Sequence, residues 1–418
     1  MTAARAQHFL TYNAIGYLSK AANIGVALLV VGQFSARDLG LFFLYTNYAI
    51  VVTRFGYLGL DKVNIVVGLE DRARSSVLSS ILLVKTVISA SFMVAMLLFA
   101  ESMQSVALFG LLLLNYDAAG YVTVMSSTFD QRDQFRTKMA VALFMNASAA
   151  AAITVQTIGF ANHSVGVLAT IMLSCKIATL ALIVWVQRIS PSIRATSMST
   201  VKVILRNGMR MLAISLSIAV YTRIGIILLP RMGVDLESIG SYGKVVRVVE
   251  SVGFVAAQIV TYFFPRFIGR RTIEDLKRRL LEVTLLQFVG GLTIVVGFLT
   301  WKPFIVERLL KIGPEDALPG GLYEVAILTV LVSFQSYSLL QFLIARLEFR
   351  RAQGAFALAA AISVLANAIL IHERGTFGAA VASLFTELIV AALLGASVIG
   401  WIRSAKVARD GLVVRPEA

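Results

Sequence analysis

Long apolar stretches follow one another along almost the whole chain and are separated by short polar segments. An apolar stretch of about 18–25 residues is long enough to cross the hydrocarbon core of a bilayer as a helix. The pattern predicts twelve such spans, at 12–31, 39–58, 77–99, 106–127, 139–158, 166–186, 208–230, 243–264, 282–301, 322–344, 354–371 and 378–402. No small-residue cleavage site follows early in the first span, so we expect this helix to be retained rather than removed as a signal peptide. The predicted fold class is an all-α polytopic membrane protein.

The composition agrees with a membrane protein. Of 418 residues, 58% are hydrophobic and 15% are charged, whereas soluble domains are about half apolar and a quarter charged. A single cysteine excludes an intramolecular disulfide, and three scattered histidines predict no metal site. The sequence contains no Walker A, G-x-S-x-G or H-E-x-x-H motif. We therefore expect neither an enzyme nor a bound cofactor.

The net charge of +15 is explained by the distribution of Lys and Arg around the spans. With the N-terminus in the cytoplasm, the basic residues outside the spans lie on the cytoplasmic side about four times as often as on the opposite side. Cytoplasmic loops of membrane proteins carry such an excess. The charge thus predicts that both termini are cytoplasmic, and it requires no nucleic acid partner.

Several short patterns recur about 200–214 residues further along the chain. Asp38-Leu39-Gly40-Leu41-Phe42 returns as Ser238-Ile239-Gly240-Ser241-Tyr242, Phe135-Arg136 as Phe349-Arg350, and the span after Gly166 as the span after Gly378. Repeats of six spans each insert in the same direction. The recurrence predicts an N-terminal six-helix lobe at 1–187, a cytoplasmic linker at 188–207, a C-terminal six-helix lobe at 208–402, a cytoplasmic tail at 403–418, and a central cleft.

Ionisable residues inside membrane spans are costly, and they usually face protein or water. The basic ones are Lys20, Arg54, Lys85, Lys176, Arg223, Lys244 and Arg247, and the acidic ones are Asp117, Glu250 and Glu387. This excess of cations predicts a cleft that binds an anion. An exporter of cationic drugs is expected to show the opposite balance.

Five of the basic residues are candidates for binding the anion: Arg223, Arg247, Lys20, Arg54 and Lys244. The planar guanidinium group of arginine binds phosphate through two parallel hydrogen bonds and stays ionised. Two candidates have an alternative role at the membrane interface: Lys244 begins its span, and Arg54 lies near the end of its own. Arg247 and Glu250 lie on one helix face, so they also have the alternative of a purely structural pair.

The other ionisable residues are candidates for ion coupling or for charge pairs: Glu250, Asp117, Glu387, Lys176 and Lys85. Lys176 and Glu387 occupy equivalent places in the two halves, where they either pair or act separately in coupling. Asp117 and Lys85 have the alternative of neutralising each other between neighbouring helices.

Four motifs together resemble the Wzx-type flippases of the polysaccharide transporter family, within the multidrug/oligosaccharidyl-lipid/polysaccharide (MOP) exporter superfamily. They are Gly32-x(7)-Gly40-x-Phe42, Tyr221-Thr222-Arg223-Ile224, Ile239-Gly240-Ser241-Tyr242 and Phe263-Phe264-Pro265-Arg266. The resemblance implies a two-lobed MATE-like fold in a bacterial inner membrane. It also implies the translocation of undecaprenyl-pyrophosphate-linked oligosaccharide repeat units to the periplasmic leaflet by alternating access. The driving force would be an H⁺ or Na⁺ gradient or the membrane potential, and the implied partners are a polysaccharide polymerase and chain-length or export proteins.

The chain departs from the family at one place, and two other functions stay open. Many relatives carry an acidic residue two positions after the arginine of the seventh helix, where this chain has Gly225. A cation-coupled drug antiporter of the same fold predicts an acidic cavity. A membrane glycan polymerase or ligase predicts a large outer loop, but the longest one here, 302–321, has only about twenty residues.

Overall fold

The computed structural model describes most of the chain. The described residues are 34–57, 60, 74–98, 106–131, 134–156, 164–188, 196, 198–267, 272–313, 318–346 and 348–413. They contain no β-strand. The first predicted span, 12–31 with Lys20, lies outside these residues.

Ten long helices account for the other eleven predicted spans. They are α1 Ala36–Tyr57, α2 Arg74–Leu98, α3 Val106–Gln131, α4 Phe135–Thr154, α5 Val165–Gln187, α6 Met198–Leu228, α7 Leu236–Phe267, α8 Ile273–Thr300, α9 Leu322–Ala345 and α10 Phe349–Val413. Eight of the described helices are long and apolar enough to cross a membrane. The prediction of an all-α polytopic membrane protein is thus confirmed.

Two predicted spans lie on α10, which is divided by a sharp turn. Gly375 has φ 55° and ψ −131°, which are not helical values. A side chain is strained at such a positive φ, and glycine avoids the strain because it has no Cβ. A Cβ at Gly378 would overlap the backbone of Leu370, so the two arms of α10 approach closely beside the turn. We call residues 349–374 the first arm and residues 376–413 the second arm.

Helices α1 and α7 both begin with a side-chain cap, at the positions where the sequence pattern recurs. The Ser35 hydroxyl group accepts a hydrogen bond from the backbone N–H of Asp38 at 3.1 Å. The Asp235 carboxylate accepts one from the backbone N–H of Ser238 at 2.8 Å. This backbone hydrogen bond, together with one from the Ser238 hydroxyl group, lowers the pKa of Asp235. Such caps satisfy N–H groups that a helix leaves unbonded at its first turn.

The chain forms two compact units, Met1–Ala219 and Val220–Ala418. In the N-terminal unit, α3 packs against α1 and α5. In the C-terminal unit, α9 packs against α7, α8 and α10. Fully buried aromatic side chains mark each core, with Phe109 in the first unit and Phe334 and Phe342 in the second. These cores place the polar side chains described next.

Candidate functional site

Three charged side chains meet between α6 and α7 in the C-terminal unit, and we call them the arginine triad: Arg223, Arg247 and Glu250. Arg223 lies on α6, and its Nη1 donates to Glu250 Oε1. Arg247 lies one turn before Glu250 on α7, and its Nη1 donates to Glu250 Oε2 at 3.1 Å. Each oxygen of the carboxylate is therefore held by a different guanidinium group.

The arginine triad combines an excess of positive charge with partial exposure. Two guanidinium groups and one carboxylate carry a net charge of about +1. The side chains are 19%, 26% and 28% exposed for Arg223, Arg247 and Glu250, respectively. Because these side chains are neither sealed in the core nor fully exposed, an anion that reaches them meets guanidinium donors in a weakly screened setting.

Glu387, on the second arm of α10, is a buried carboxyl group in the same unit. The residue is 8% exposed. The hydroxyl groups of Tyr221 and Ser336 lie near the carboxyl group. Its Oε2 atom has no hydrogen-bond partner among the described residues. A buried acceptor without a donor is costly, so this oxygen is suited to take up a proton or a ligand.

Gly225, the position that departs from the family pattern, faces Asn367 on the first arm of α10. A Cβ at Gly225 would lie 2.9 Å from Asn367 Oδ1. Asn367 is 1% exposed, and its Nδ2 donates to the Ser363 carbonyl at 2.8 Å. An acidic side chain at position 225 would therefore have to displace a buried, hydrogen-bonded asparagine. The glycine and the asparagine fit each other sterically.

Lys85 on α2 and Asp117 on α3 form a buried ion pair in the N-terminal unit. Lys85 Nζ lies 2.5 Å from Asp117 Oδ1, with the two side chains 1% and 9% exposed. Lys85 Nζ also lies 3.4 Å from Ser89 Oγ and 4.2 Å from the centroid of the Tyr121 ring. Three acceptors thus surround an ammonium group that has three N–H donors.

The remaining candidates in the described residues lie elsewhere. Lys244 is 4% exposed, and its Nζ lies 3.4 Å from the Lys311 carbonyl oxygen in the segment after α8. The Arg54 guanidinium group lies 5.8 Å from the Tyr57 ring centroid. Lys176 Nζ lies 3.1 Å from Met145 Sδ. The structure thus joins Arg223, Arg247 and Glu250 in one cluster and Lys85 and Asp117 in another.

The sequence analysis missed the polar residues that complete these clusters. Asn367, Ser336 and Ser89 were not singled out, because single uncharged polar residues are frequent in membrane spans. One signal for Asn367 was present: it is the only amide side chain in the predicted span 354–371. The contact between Arg223 and Glu250 joins two helices, and spacing within one helix cannot predict it.

Neither a protein-family model nor a curated protein matches the sequence, but solved structures match almost all of it. An inward-facing multidrug resistance MATE family transporter of the MOP superfamily gives a TM-score of 0.68 at 15% identity, covering 93% of this chain and 94% of that chain. The lipid II flippase MurJ in an inward closed conformation gives a TM-score of 0.69 at 13% identity, covering 93% and 87%. The chain has the fold shared by MATE transporters and MurJ.

A third protein of this MATE/MurJ fold is relevant to the charge of the site. It is a MOP superfamily transporter from Pyrococcus furiosus, described by a reverse polarity of its binding pocket, with a TM-score of 0.59 at 14% identity over 96% of this chain and 94% of that chain. Because all these identities are low, the likeness establishes the fold alone. The function must be inferred from the chain's own residues.

Proposed function

We propose that this chain is a flippase for undecaprenyl-pyrophosphate-linked oligosaccharide repeat units, which it moves from the cytoplasmic to the periplasmic leaflet of a bacterial inner membrane by alternating access. The observation that carries the proposal is the arginine triad. It presents a net positive charge on partly exposed side chains of α6 and α7, and α6 is one of eight helices that are long and apolar enough to cross a membrane.

A pyrophosphate group needs positive partners at membrane depth. Moving an uncompensated anion from water into the hydrocarbon core of a membrane is very costly. The guanidinium groups of Arg223 and Arg247 offer fixed, always ionised donors of the geometry that phosphate oxygens accept. Glu250 orients both groups and leaves the net charge positive. The surface polysaccharide pathway, with its polymerase and export proteins, would then use the flipped lipid.

The buried carboxyl group of Glu387 is our candidate for ion coupling. Asp117 and Glu250 are already held by cationic side chains, whereas Glu387 Oε2 lacks a hydrogen-bond partner among the described residues. Protonation or binding of a cation there would change the charge of the C-terminal unit. Coupling to an H⁺ or Na⁺ gradient would act through this change.

The same Glu387 oxygen favours a second candidate, a cation-coupled drug antiporter of MATE type. Such a protein needs an acceptor-rich site for a positively charged substrate. The two candidates differ in where the substrate binds. A lipid pyrophosphate depends on Arg223 and Arg247, whereas a lipophilic cation depends on Glu387 and is repelled by the arginine triad.

The experiment is complementation of a strain that lacks this chain. We expect Arg223→Ala and Arg247→Ala to abolish surface polysaccharide. Arg247→Lys should retain part of it, because lysine keeps the positive charge but lacks the planar guanidinium group that binds phosphate through two hydrogen bonds. Arg231→Ala is the matched control, because Arg231 is an exposed arginine in the short turn after α6. It should export normally.

Membrane levels of every variant are measured in parallel, so that loss of export is separated from loss of the protein. Normal export by both alanine variants would overturn the proposal. Resistance to lipophilic cationic drugs that requires Glu387 but not Arg247 would favour the antiporter instead.

A further inference from the structure

A small cleft between α1, α2 and α3 of the N-terminal unit contains one unused carboxylate oxygen. The cleft has room for about one water-sized group. It is lined by Val52, Thr53, Gly56, Ser89, Met93, Leu113 and Asp117. The Thr53 hydroxyl group donates to backbone carbonyls of its own helix and the Ser89 hydroxyl group donates to Asp117, so the carboxylate of Asp117 decides what the cleft accepts.

The two oxygens of Asp117 differ in their surroundings. Oδ1 accepts from Lys85 Nζ at 2.5 Å and from Ser89 Oγ at 2.7 Å. Among the described residues both of these donors bind Oδ1 rather than Oδ2, and the side chain is only 9% exposed. A carboxylate has about four acceptor sites, so half of its capacity is left at the cleft.

Two glycines, which have no Cβ, leave space for the ion pair between Lys85 and Asp117. A Cβ at Gly56 on α1 would collide with Ser89 Oγ, and a Cβ at Gly120 on α3 would lie 3.0 Å from Lys85 Nζ. Larger residues at either place would push Ser89 or Lys85 away from Asp117. The cleft is therefore built around a fixed orientation of the carboxylate.

The neutralising lysine selects the class of ligand. Lys85 balances the charge of Asp117, so a cation entering the cleft would meet a dipole rather than a net negative charge. An anion would meet the unbonded carboxylate oxygen and be repelled. The group that fits is a small, neutral hydrogen-bond donor, and a hydroxyl group satisfies all three conditions.

We propose that the Asp117 cleft is a subsite for a sugar hydroxyl group of the transported glycan, and this inference rests on the proposed flippase function. The arginine triad would bind the pyrophosphate, which all such lipids share. The Asp117 cleft would bind a hydroxyl group of the sugar, which differs from one lipid-linked glycan to another. Asp117 would then contribute to substrate specificity, separately from the charge of the lipid head.

The test is a binding measurement with the full chain in lipid nanodiscs and two probes. One probe is the pool of lipid-linked glycans extracted from a strain lacking this chain, and the other is undecaprenyl pyrophosphate without sugar. Asp117→Asn can keep its oxygen toward Lys85 and Ser89, so that an amide donor replaces the acceptor at the cleft. We expect it to weaken binding of the glycan-bearing probe about tenfold and to leave the sugar-free probe unchanged.

A second variant protects the test against misfolding of Asp117→Asn. Leu113→Phe fills the cleft and keeps the ion pair. Leu114→Phe is its matched control, because Leu114 is the next residue and is 44% exposed. Leu113→Phe should reproduce the selective loss, and Leu114→Phe should bind both probes like the wild type.

If the two cleft variants weaken binding of both probes equally, or weaken binding of neither, the inference is overturned. The cleft would then hold a water molecule rather than a sugar hydroxyl group. Failure of the flippase proposal looks different. In that case Arg247→Ala would bind the sugar-free probe as tightly as the wild type, or the wild type would bind neither probe.

Discussion

The two charged clusters, one in each unit, differ in charge balance and in exposure. Lys85 and Asp117 balance each other, and their side chains are 1% and 9% exposed. The arginine triad carries one positive charge more than it neutralises, and its side chains are 19–28% exposed. A balanced, buried pair contributes to the integrity of its unit and offers a ligand no net charge. A partly exposed cluster with excess positive charge can be stabilised by the binding of an anion.

The comparison shows why counting charged residues in spans is a weak guide to a binding site. Lys85 and Arg247 both lie in predicted membrane spans, but of the two only Arg247 belongs to a cluster with excess charge. What matters is the charge that remains after the neighbours are paired.

Lys85→Met should have the largest effect on stability. It leaves Asp117 buried without its ammonium partner, and removal of one member of a buried pair costs about 3–5 kcal/mol. The free energy of unfolding or the thermal midpoint in detergent measures this loss. Lys302→Met is the matched control, because it breaks an ion pair with Glu324 whose side chains are 40% and 39% exposed rather than buried. An equal loss in the two variants would contradict the distinction between the clusters.

The sequence analysis predicted the parts of the fold that depend on hydrophobic length. The eleven predicted spans in the described part of the chain coincide with helices, and nine of them lie on the eight helices that are long and apolar enough to cross a membrane. Helices α2 and α7, which carry the other two, are not among these eight. Some helices extend beyond the predicted spans. Helix α6 begins at Met198, ten residues before the predicted span. The predicted span begins later because the first turns of the helix carry the charged residues Lys202 and Arg206.

The candidate site was less predictable because its contacts join different helices. The spacing of Arg247 and Glu250 placed them on one face of α7, and the structure pairs them. No pattern within one helix indicates that Arg223 on α6 reaches the same carboxylate. The fit of Gly225 to Asn367 is likewise visible only after two helices pack. The roles assigned to these residues in substrate binding and coupling stay predictions.

Gly225→Ala tests whether close packing beside the arginine triad matters. The new methyl group would displace Asn367 Oδ1 and strain the hydrogen bond to Ser363, at a cost of about 1–3 kcal/mol. Gly253→Ala on α7 is the control, because a methyl group at that position would have no heavy atom of another residue within 4 Å. It should be neutral or stabilising by up to about 1 kcal/mol. Thermal unfolding that ranks the two variants the other way would refute this packing assignment.

Glu250→Gln tests whether the net charge of the arginine triad controls anion binding. The substitution replaces one of the two acceptor oxygens that face the guanidinium groups by an N–H donor, and it raises the net charge of the arginine triad by one. We expect binding of undecaprenyl pyrophosphate to tighten several-fold, with a steeper dependence on salt. The matched change in the balanced pair, Asp117→Asn, should leave binding of this sugar-free lipid unchanged. Weaker binding by Glu250→Gln would show that Glu250 is needed to position the arginines.

Asp235→Ala should have the smallest effect, because it removes only the cap of α7, typically worth about 1 kcal/mol. The pKa of Asp235 is lower in the folded protein than its usual value, so the ionised carboxylate stabilises the fold above the usual pKa. This contribution is lost as the pH falls through the folded pKa. The difference in thermal midpoint between wild type and variant should therefore shrink in acid. A difference that grows in acid would contradict the assigned cap.

The most direct test of the central claim is the preference of the purified protein for undecaprenyl pyrophosphate over uncharged undecaprenol, measured as a ratio of dissociation constants in nanodiscs. The arginine triad predicts a preference of at least about tenfold in the wild type, the scale of one charge-assisted hydrogen bond, which Arg247→Ala removes and Arg231→Ala keeps. A preference that survives in both Arg223→Ala and Arg247→Ala would show that the pyrophosphate binds elsewhere.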